Sequence, residues 1–253
     1  MTSTQPNTRP DLGARRSKRG APAPAHALAV VSTLDALVAS LRARILQGEF
    51  APRTVLAEME VADAYGVARP TARAAIQRLV SDQVLRREPN HSAHVPELTH
   101  EDVRDLWSVR SPLELMVVAQ IVERGLRPAK AEQAVRRLER VSRTAAWADV
   151  VDLDRVFHLE LVMSIDSPRL TRIYESLQAE MRLALLQLGP VYQSATEAAA
   201  QHRELFDAVV GGSRKRALAA MTSHLDSTVA DLTGSHGDPP RPMTRDRNER
   251  RHG

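Results

Sequence analysis

The sequence predicts a mainly α-helical protein made of two parts in series. Apolar residues recur every three to four positions through most of the chain, the period of helices that bury one face. The periodicity fails for about 15 residues after Asp82, where short extended segments and turn residues replace it. These observations predict an N-terminal winged helix-turn-helix over residues 33–96, followed by an all-helical bundle of about six helices over 97–233.

The first part begins with a helix over residues 34–46, which Gly48 ends. Two shorter helices follow, Ala57–Tyr65 and Pro70–Val80, and Gly66 separates them. Two short helices joined by a glycine-containing turn are the pattern of a helix-turn-helix.

The wing is predicted from the segment that breaks the helical period. Val84–Arg87 and Ala93–Pro96 have the composition of short strands, and Glu88–Ser92 supplies the turn between them. The turn contains no glycine, which weakens the hairpin pattern. Thr99, followed three residues later by Asp102, predicts a capping box at the start of the next helix.

The bundle is predicted from six apolar-periodic segments that glycine and proline separate. They lie at roughly 100–125, 128–146, 149–165, 168–188, 195–210 and 214–232.

Composition excludes several classes of protein. The chain has no cysteine, so disulfides, iron–sulfur clusters, thiolate zinc sites and cysteine nucleophiles are excluded. The longest apolar stretch, Leu113–Val122, contains Glu114 and Gln120 and is too short to span a bilayer. No apolar segment near the N-terminus is long enough for a secretory signal. We therefore expect a soluble, cytoplasmic protein without membrane contact.

The two ends of the chain differ from its middle. Residues 1–32 and 234–253 lack apolar periodicity, which predicts a disordered basic arm and a disordered tail. The net charge of +4 divides into +4 on 1–32, +1 on 33–96, −3 on 97–233 and +2 on the tail. A basic arm beside an acidic body indicates that the N-terminal end contacts a polyanion. The alternative is a solvated arm that has no such partner.

The second helix of the helix-turn-helix carries the predicted DNA contacts. Arg69 lies at its entrance and Arg73 lies one turn later on the same face, where arginine pairs with guanine edges in the major groove. Thr71 is placed to bind a phosphate at the helix N-terminus. Arg78 lies about 140° around from Arg73, which favours a phosphate contact. His91, at the tip of the wing, is the fifth predicted DNA-binding residue.

Residues 34–96 resemble the DNA-binding domain of the GntR family of bacterial transcription regulators. The resemblance rests on Ile45-Leu46-Gln47-Gly48, Pro52, Leu56, Glu58, Gly66-Val67, Arg69-Pro70-Thr71-Ala72-Arg73, Arg78-Leu79 and Pro89-Asn90. Arg53, Ala68 and Ser92 depart from the family pattern, and Ala68 lacks the hydroxyl that caps a helix. The expected partner is double-stranded DNA with a palindromic operator, bound by a homodimer.

Three histidines in predicted bundle helices form a candidate metal site with one aspartate. Asp154 and His158 lie one turn apart on the same helix face, and His202 and His224 belong to two later helices. Three imidazoles and a carboxylate are a donor set for Zn(II), Ni(II) or Mn(II). Each histidine taken alone is more often an ordinary hydrogen-bonded helix residue than a metal ligand.

Residues 97–233 resemble the FCD-type effector domain of the FadR-like branch of the same family. The family pattern places an aspartate, a histidine four residues later and two histidines in later helices, and Asp154, His158, His202 and His224 match it. The resemblance implies a metal site with open coordination positions, at which a small organic acid binds as effector.

Two arginines are predicted to pair with the carboxylate of that acid. Arg110 and Glu114 match the first-helix pattern of the family, although Pro112 between them departs from it. Arg182 is the second candidate, but it lies off the apolar stripe of its helix, which favours an exposed ion pair over an effector contact.

The sequence therefore predicts a ligand-responsive DNA-binding transcription regulator rather than an enzyme, with repression favoured and activation left open. In one alternative the metal is itself the effector or is purely structural. In another the chain is a metal-dependent enzyme with an attached DNA-binding module, which the absence of an HExxH motif disfavours.

Overall fold

Nine helices and one two-stranded sheet make up the part of the chain that the structure, a computed structural model, describes: residues 32–142, 144–189, 191–192 and 194–234. In order they are α1 (Thr33–Leu46), β1 (Val55–Leu56), α2 (Glu58–Tyr65), α3 (Arg69–Ser81), β2 (Ala93–His94), α4 (His100–Glu123), α5 (Ala129–Leu138), α6 (Trp147–Met163), α7 (Pro168–Gln187), α8 (Ala195–Val210) and α9 (Arg214–Leu232). The predicted arm and tail lie outside these residues, apart from Ser32 and Gly234. The predicted fold class is confirmed.

The helix-turn-helix packs around α3. Ile76 and Leu79 are fully buried where α1 and α2 cross α3. Gly66 ends α2 with φ 62°, a left-handed conformation that costs glycine little. Ala68 precedes α3 without a side-chain capping bond, as its methyl group requires. The connection between α2 and α3 is thus set by backbone conformation rather than by a capping hydroxyl.

The predicted pairing of residues 84–87 with 93–96 is observed only in part. β2 pairs antiparallel with β1, with Leu56 opposite Ala93, while Arg86 forms only a single bridge to His94. The amides of Val84 and Leu85 are not available to a strand because both donate to the carbonyl of Leu79 at the end of α3. β1 was not predicted, since two residues are too few to show a period.

The bundle follows the predicted helices closely except at α5. The capping box of Thr99 and Asp102 opens α4 as predicted, and Pro112 lies inside α4 without ending it. α5 stops at Leu138, eight residues earlier than predicted, and Ser142 and Thr144 form a local turn in which Oγ of Ser142 accepts from the amide of Thr144. Such side-chain bonds to nearby backbone compete with helix formation.

One apolar cluster runs through the buried faces from α1 to α9. Within the bundle, α4 packs on α9, α5 on α6, α6 on α7 and α8 on α9. This arrangement turns the inner faces of α6, α8 and α9 toward one another. No helix in the described ranges combines the length and apolar character needed to cross a membrane.

Candidate metal centre and nucleic-acid interface

Four predicted metal ligands meet in the interior of the bundle. Asp154 and His158 come from α6, His202 from α8 and His224 from α9, and one ligand atom of each lies within 4.8 Å of the others. His158 and His202 are fully buried, and Asp154 and His224 are 5% and 8% exposed. The structure therefore brings together side chains that are up to 70 positions apart in the sequence.

The imidazole of His202 has an unpaired nitrogen in this cluster. Its Nε2 lies 3.1 Å from Oδ1 of Asp154 but makes no hydrogen bond of suitable geometry with any residue that the structure describes. Nε2 of His158 lies 3.1 Å from Nε2 of His224. Buried polar atoms without partners are rare in proteins. Ligand atoms held about 2.1 Å from one ion lie about 3 to 4 Å apart, so these residues fit a divalent transition metal.

Hydrogen bonds outside the cluster fix the orientation of two imidazoles. Nδ1 of His158 lies 2.7 Å from Oε2 of Glu114, and Nδ1 of His202 lies 2.7 Å from the carbonyl oxygen of Ala198. Both partners can only accept, so each Nδ1 carries the proton and donates. Each Nε2 is left with a lone pair that points into the cluster, the arrangement that metal-binding histidines adopt.

Glu114 is a functional residue that the sequence analysis did not place in the site. Its Oε1 accepts from Nε of Arg110 at 2.5 Å and from the hydroxyl of Tyr174 at 2.6 Å, while Oε2 accepts from His158. Burial raises the pKa of Glu114, but Arg110 and His158 outweigh it and hold the pKa well below its usual range. The i, i+4 spacing of Arg110 and Glu114 was the signal available in the sequence.

The burial of the cluster sets the charge of its members. Burial lowers the pKa of His158 and His224, and for His158 the carboxylate of Glu114 opposes that effect only in part. Burial raises the pKa of Asp154, but the close approach of His202, with attraction from His158 and Arg110, brings the pKa below its usual range. The hydroxyl of Tyr192, a contact that the sequence analysis missed, also donates to Asp154 at 3.1 Å. Neutral pH therefore gives neutral imidazoles at His158 and His224 beside one carboxylate.

The two predicted effector arginines occupy different surroundings. Arg110 is buried beside the metal cluster and engaged with Glu114. Arg182 forms the expected ion pair, but the residue is buried rather than exposed. Only 4% of Arg182 is exposed, because α7 turns it toward α6. Arg182 forms a bidentate pair with Asp152, Nε to Oδ1 at 2.7 Å and Nη2 to Oδ2 at 2.9 Å. Its remaining nitrogen, Nη1, has no hydrogen-bond partner among the described residues.

The first turns of α3 present a basic surface. The side chains of Arg69 and Arg73 are 61% and 62% exposed, and Thr71 between them is half-buried. Glu58 of α2 lies 3.0 Å from Nε of Arg73 and 3.6 Å from Nε of Arg69. The hydrogen bond from Arg73 is the main cause that lowers the pKa of Glu58. Glu58 therefore holds both arginines on the exposed side of α3, a contact that the sequence analysis did not foresee.

The other two predicted DNA contacts are exposed at the surface. Nη1 of Arg78 lies 3.3 Å from Oδ1 of Asp35 of α1. His91 lies in the turn of the wing, with its Nδ1 2.9 Å from the carbonyl oxygen of Pro89. Neither contact buries the side chain, so both residues are accessible to a ligand.

A winged helix-turn-helix joined to a helical domain with a buried Asp/His cluster defines a class of transcription regulator. Residues 33–95 match the family described as bacterial regulatory proteins of the gntR family, and residues 105–227 match the FCD domain. The chain belongs to the GntR family and carries an FCD domain. It is thus a transcription regulator and not an enzyme.

Curated proteins and solved structures agree with this assignment. The gluconate operon transcriptional repressor of Bacillus subtilis is 27% identical over 208 residues, which cover 79% of this chain and 84% of that protein. McbR of Escherichia coli is 26% identical over 144 residues, 56% of this chain and 65% of that protein. A transcriptional regulator GntR from Rhodococcus sp. RHA1 is similar in structure, with a TM-score of 0.67 and 25% identity over 80% of this chain and 98% of that one.

Proposed function

We propose that this protein is a transcriptional repressor whose affinity for its operator changes when a small organic acid binds at a metal centre in the FCD domain. The buried Nε2 of His202, which has no hydrogen-bond partner among the described residues, carries this proposal, because a bound cation would give its lone pair a partner. The similarity to the gluconate operon repressor supports the repressor mode.

Asp154, His158, His202 and His224 are the residues that would hold the metal, with Zn, Ni or Mn suited to this donor set. A bound divalent ion supplies a net positive site that an anionic oxygen can coordinate. Glu114 keeps His158 in the tautomer that offers Nε2, and Arg110 balances the charge of Glu114. The protein side of the site is therefore organised before any metal binds.

The acid would be held by two arginine side chains of the helical domain. Arg110 lies next to Glu114 in the interior, and Arg182 keeps Nη1 free for a further hydrogen bond. Guanidinium groups bind carboxylates with strong, charge-assisted hydrogen bonds. These two residues remain the proposed effector contacts.

At the other end of the chain, we assign residues 33–96 to operator binding and 97–233 to sensing. A homodimer would place Arg69 and Arg73 of each subunit in the major groove of one operator half-site. Thr71, Arg78 and His91 would contact phosphates, which position the protein without specifying sequence. Glu58 supports this arrangement because it aligns both arginines in the absence of DNA.

The two parts meet at a polar junction formed by Arg86, Asp102, Glu180 and Gln187. Nη2 of Arg86, at the base of the wing, lies 2.8 Å from Asp102 of α4 and 3.3 Å from Glu180 of α7. Gln187 of α7 donates to the carbonyl of Pro96 and accepts from the amide of Leu98. Because α4 and α7 also supply Arg110, Glu114 and Tyr174, a change around the metal would reach the wing through the same two helices.

The test combines metal content with operator binding. Purified full-length protein should retain about one divalent ion per chain by elemental analysis, and His202→Ala should lose it because one of the four ligands is gone. His100→Ala, on the exposed first residue of α4, is the matched control. A fully metallated His202→Ala protein would remove His202 from the ligand set.

Operator affinity of the metal-loaded protein is then measured with and without a panel of organic acids. A change in affinity caused by an acid supports the proposed function. An affinity that responds to metal alone, and to none of the acids, would assign the effector role to the metal instead.

A further inference from the structure

A groove in the surface between α8 and α9 reaches one of the four candidate metal ligands. It has a volume of about 270 Å³, which is room for several water molecules. Gln201 and Glu204 of α8 line it from one side, and Ala220, Ser223 and His224 of α9 line it from the other. The groove therefore lies between the same two helices that supply His202 and His224 to the cluster.

His224 is the most accessible of the four candidate ligands. It is 8% exposed, whereas His158 and His202 are fully buried. Its Nε2 lies within the cluster, 3.1 Å from Nε2 of His158. In the described part of the chain no acceptor holds its Nδ1, in contrast to Glu114 and Ala198, which hold the other two imidazoles. His224 is thus the ligand at which the groove and the cluster meet.

Glu204 gives the groove a negative charge. Its carboxylate is exposed and forms no ion pair with any cationic side chain in the described ranges. The adjacent Arg203 is engaged elsewhere, with Nε 2.8 Å from Oε1 of Glu139 and Nη1 3.7 Å from Oδ1 of Asp207. The described lining of the groove contains no lysine or arginine. The groove therefore attracts cations and repels an organic acid.

The other polar groups of the groove offer oxygen atoms. Nε2 of Gln201 donates to Oε1 of Glu197 at 3.2 Å, which leaves the amide oxygen of Gln201 to accept. Ser223 contributes an exposed hydroxyl group. Oxygen atoms of these kinds replace water around a divalent ion, whereas imidazole is the ligand that transition metals prefer. The groove and the cluster therefore provide weak oxygen ligands first and strong nitrogen ligands after them.

We propose that the groove between α8 and α9 is the route by which a divalent metal ion reaches the buried centre, and that Glu204 captures the ion on the way. This inference rests on the proposed function, because it assumes a metal at the Asp/His cluster. It adds a binding role for a residue outside the four ligands. Since Glu204 acts on the encounter with the ion, its loss should change the rate of metal uptake more than the affinity for the bound metal.

The first experiment measures the rate of metal uptake. Full-length protein stripped of metal by a chelator is mixed with Co²⁺, and the visible absorption of the bound ion is followed by stopped flow. Glu204→Gln should take up Co²⁺ about 3- to 10-fold more slowly, while the dissociation constant changes about 2-fold or less because release slows as well. The wild-type rate should also fall more steeply with ionic strength than the rate of the variant.

Glu175→Gln, which removes an exposed carboxylate of α7, is the matched control and should behave as wild type. A wild-type rate with wild-type salt dependence in Glu204→Gln would overturn the capture role. Failure of the wild-type protein to bind Co²⁺ at all would overturn the proposed metal centre together with this inference.

The second experiment tests the route without changing any charge. Ala220→Leu and, separately, Ser223→Leu fill part of the groove, so uptake of Co²⁺ and its release to a chelator should both slow about 5-fold or more. Ala219→Leu, on an exposed position of α9 outside this groove, is the matched control. Circular dichroism and the final Co²⁺ content verify that each variant is folded. Uptake at the wild-type rate in the folded groove-filling variants would overturn the route and leave the proposed function standing.

Discussion

At the scale of single residues, Glu114 has more contacts around the proposed metal centre than its place in the sequence suggests. Three donors, on Arg110, Tyr174 and His158, share its two oxygens in the bundle interior. A carboxylate in this position is held ionised by a neighbouring guanidinium, and it fixes which nitrogen of His158 carries the proton. Sequence spacing could pair Glu114 with Arg110, but the contacts with His158 and Tyr174 depend on tertiary packing.

Glu114→Gln should weaken metal binding and the fold together. The amide can present its N–H group to His158 and no longer fixes the tautomer, so we expect metal affinity to fall about 10- to 100-fold in chelator competition. Arg110 would remain buried without a counter-ion, which should lower the free energy of unfolding by about 3 to 5 kcal/mol in urea titrations. Glu175→Gln, exposed on α7, serves as control. Retention of both affinity and stability would show that the carboxylate is not needed.

Arg73→Ala tests the DNA-facing surface at the same scale. Loss of a base contact should cost about 1 to 3 kcal/mol in specific operator binding, measured by gel shift at fixed salt. The comparison variant is Arg172→Ala, an exposed arginine of α7 with the same change in charge. If Arg73→Ala binds the operator as wild type does, α3 is not the recognition helix.

At the scale of elements, the sequence predicts the long helices well and the short pieces poorly. α4, α7, α8 and α9 show several turns of apolar period, and their observed ends lie within two residues of the prediction. The first strand of the wing is reduced to a bridge at Arg86. The amides of Val84 and Leu85 instead donate to Leu79 at the end of α3, which no local pattern reveals. β1 consists of two residues and pairs with a strand that begins 37 positions later. Pairing at such a distance is decided by packing rather than by propensity.

The contribution of Asp102 to stability, at the start of α4, can be tested by varying the pH. Burial raises the pKa of Asp102, but hydrogen bonds from Thr99 and Arg86 outweigh it, so the native pKa is below its usual value. The contribution of this carboxylate is therefore present above the unfolded pKa of about 3.9 and is lost as pH falls through the native pKa. Asp102→Asn should lower the free energy of unfolding by about 1 kcal/mol at pH 7.

Urea titrations of both proteins at several pH values provide the measurement. The difference between wild type and Asp102→Asn should shrink as pH falls below about 4, because wild-type Asp102 is then protonated as well. Asp105→Asn, exposed on the same turn of α4, controls for a general change of surface charge. A difference that grows toward acid pH would mean that Asp102 does not act through its native charge.

At the scale of the whole molecule, the fold converts a scattered motif into one buried site. The sequence motif identified Asp154, His158, His202 and His224, and the structure places them within 4.8 Å of one another. The sequence could not show that Tyr192 reaches Asp154 or that the amide of Gln178 lacks a hydrogen-bond partner among the described residues, since both facts depend on how α6, α7 and α8 pack. The residues that would bind a metal can be predicted from a sequence pattern. The side chains that surround them can be identified only from the packing of the assembled bundle.

The whole-molecule prediction concerns the polar junction at Arg86, through which we expect the two parts to communicate. Arg86→Gln removes the charge that joins the wing base to Asp102 of α4 and Glu180 of α7. An effector that couples to operator binding typically changes affinity about 5- to 150-fold, and this factor should fall toward 1 in the variant. The acid with the largest effect on wild type is used, and the ratio of operator affinities with and without it is measured. Metal content should stay at the wild-type level, because no metal ligand lies at the junction, and Arg104→Gln on the exposed face of α4 is the control. A full response to the acid in Arg86→Gln would place the coupling outside this junction, in the apolar core shared by α1 and α7 or in the contact between subunits.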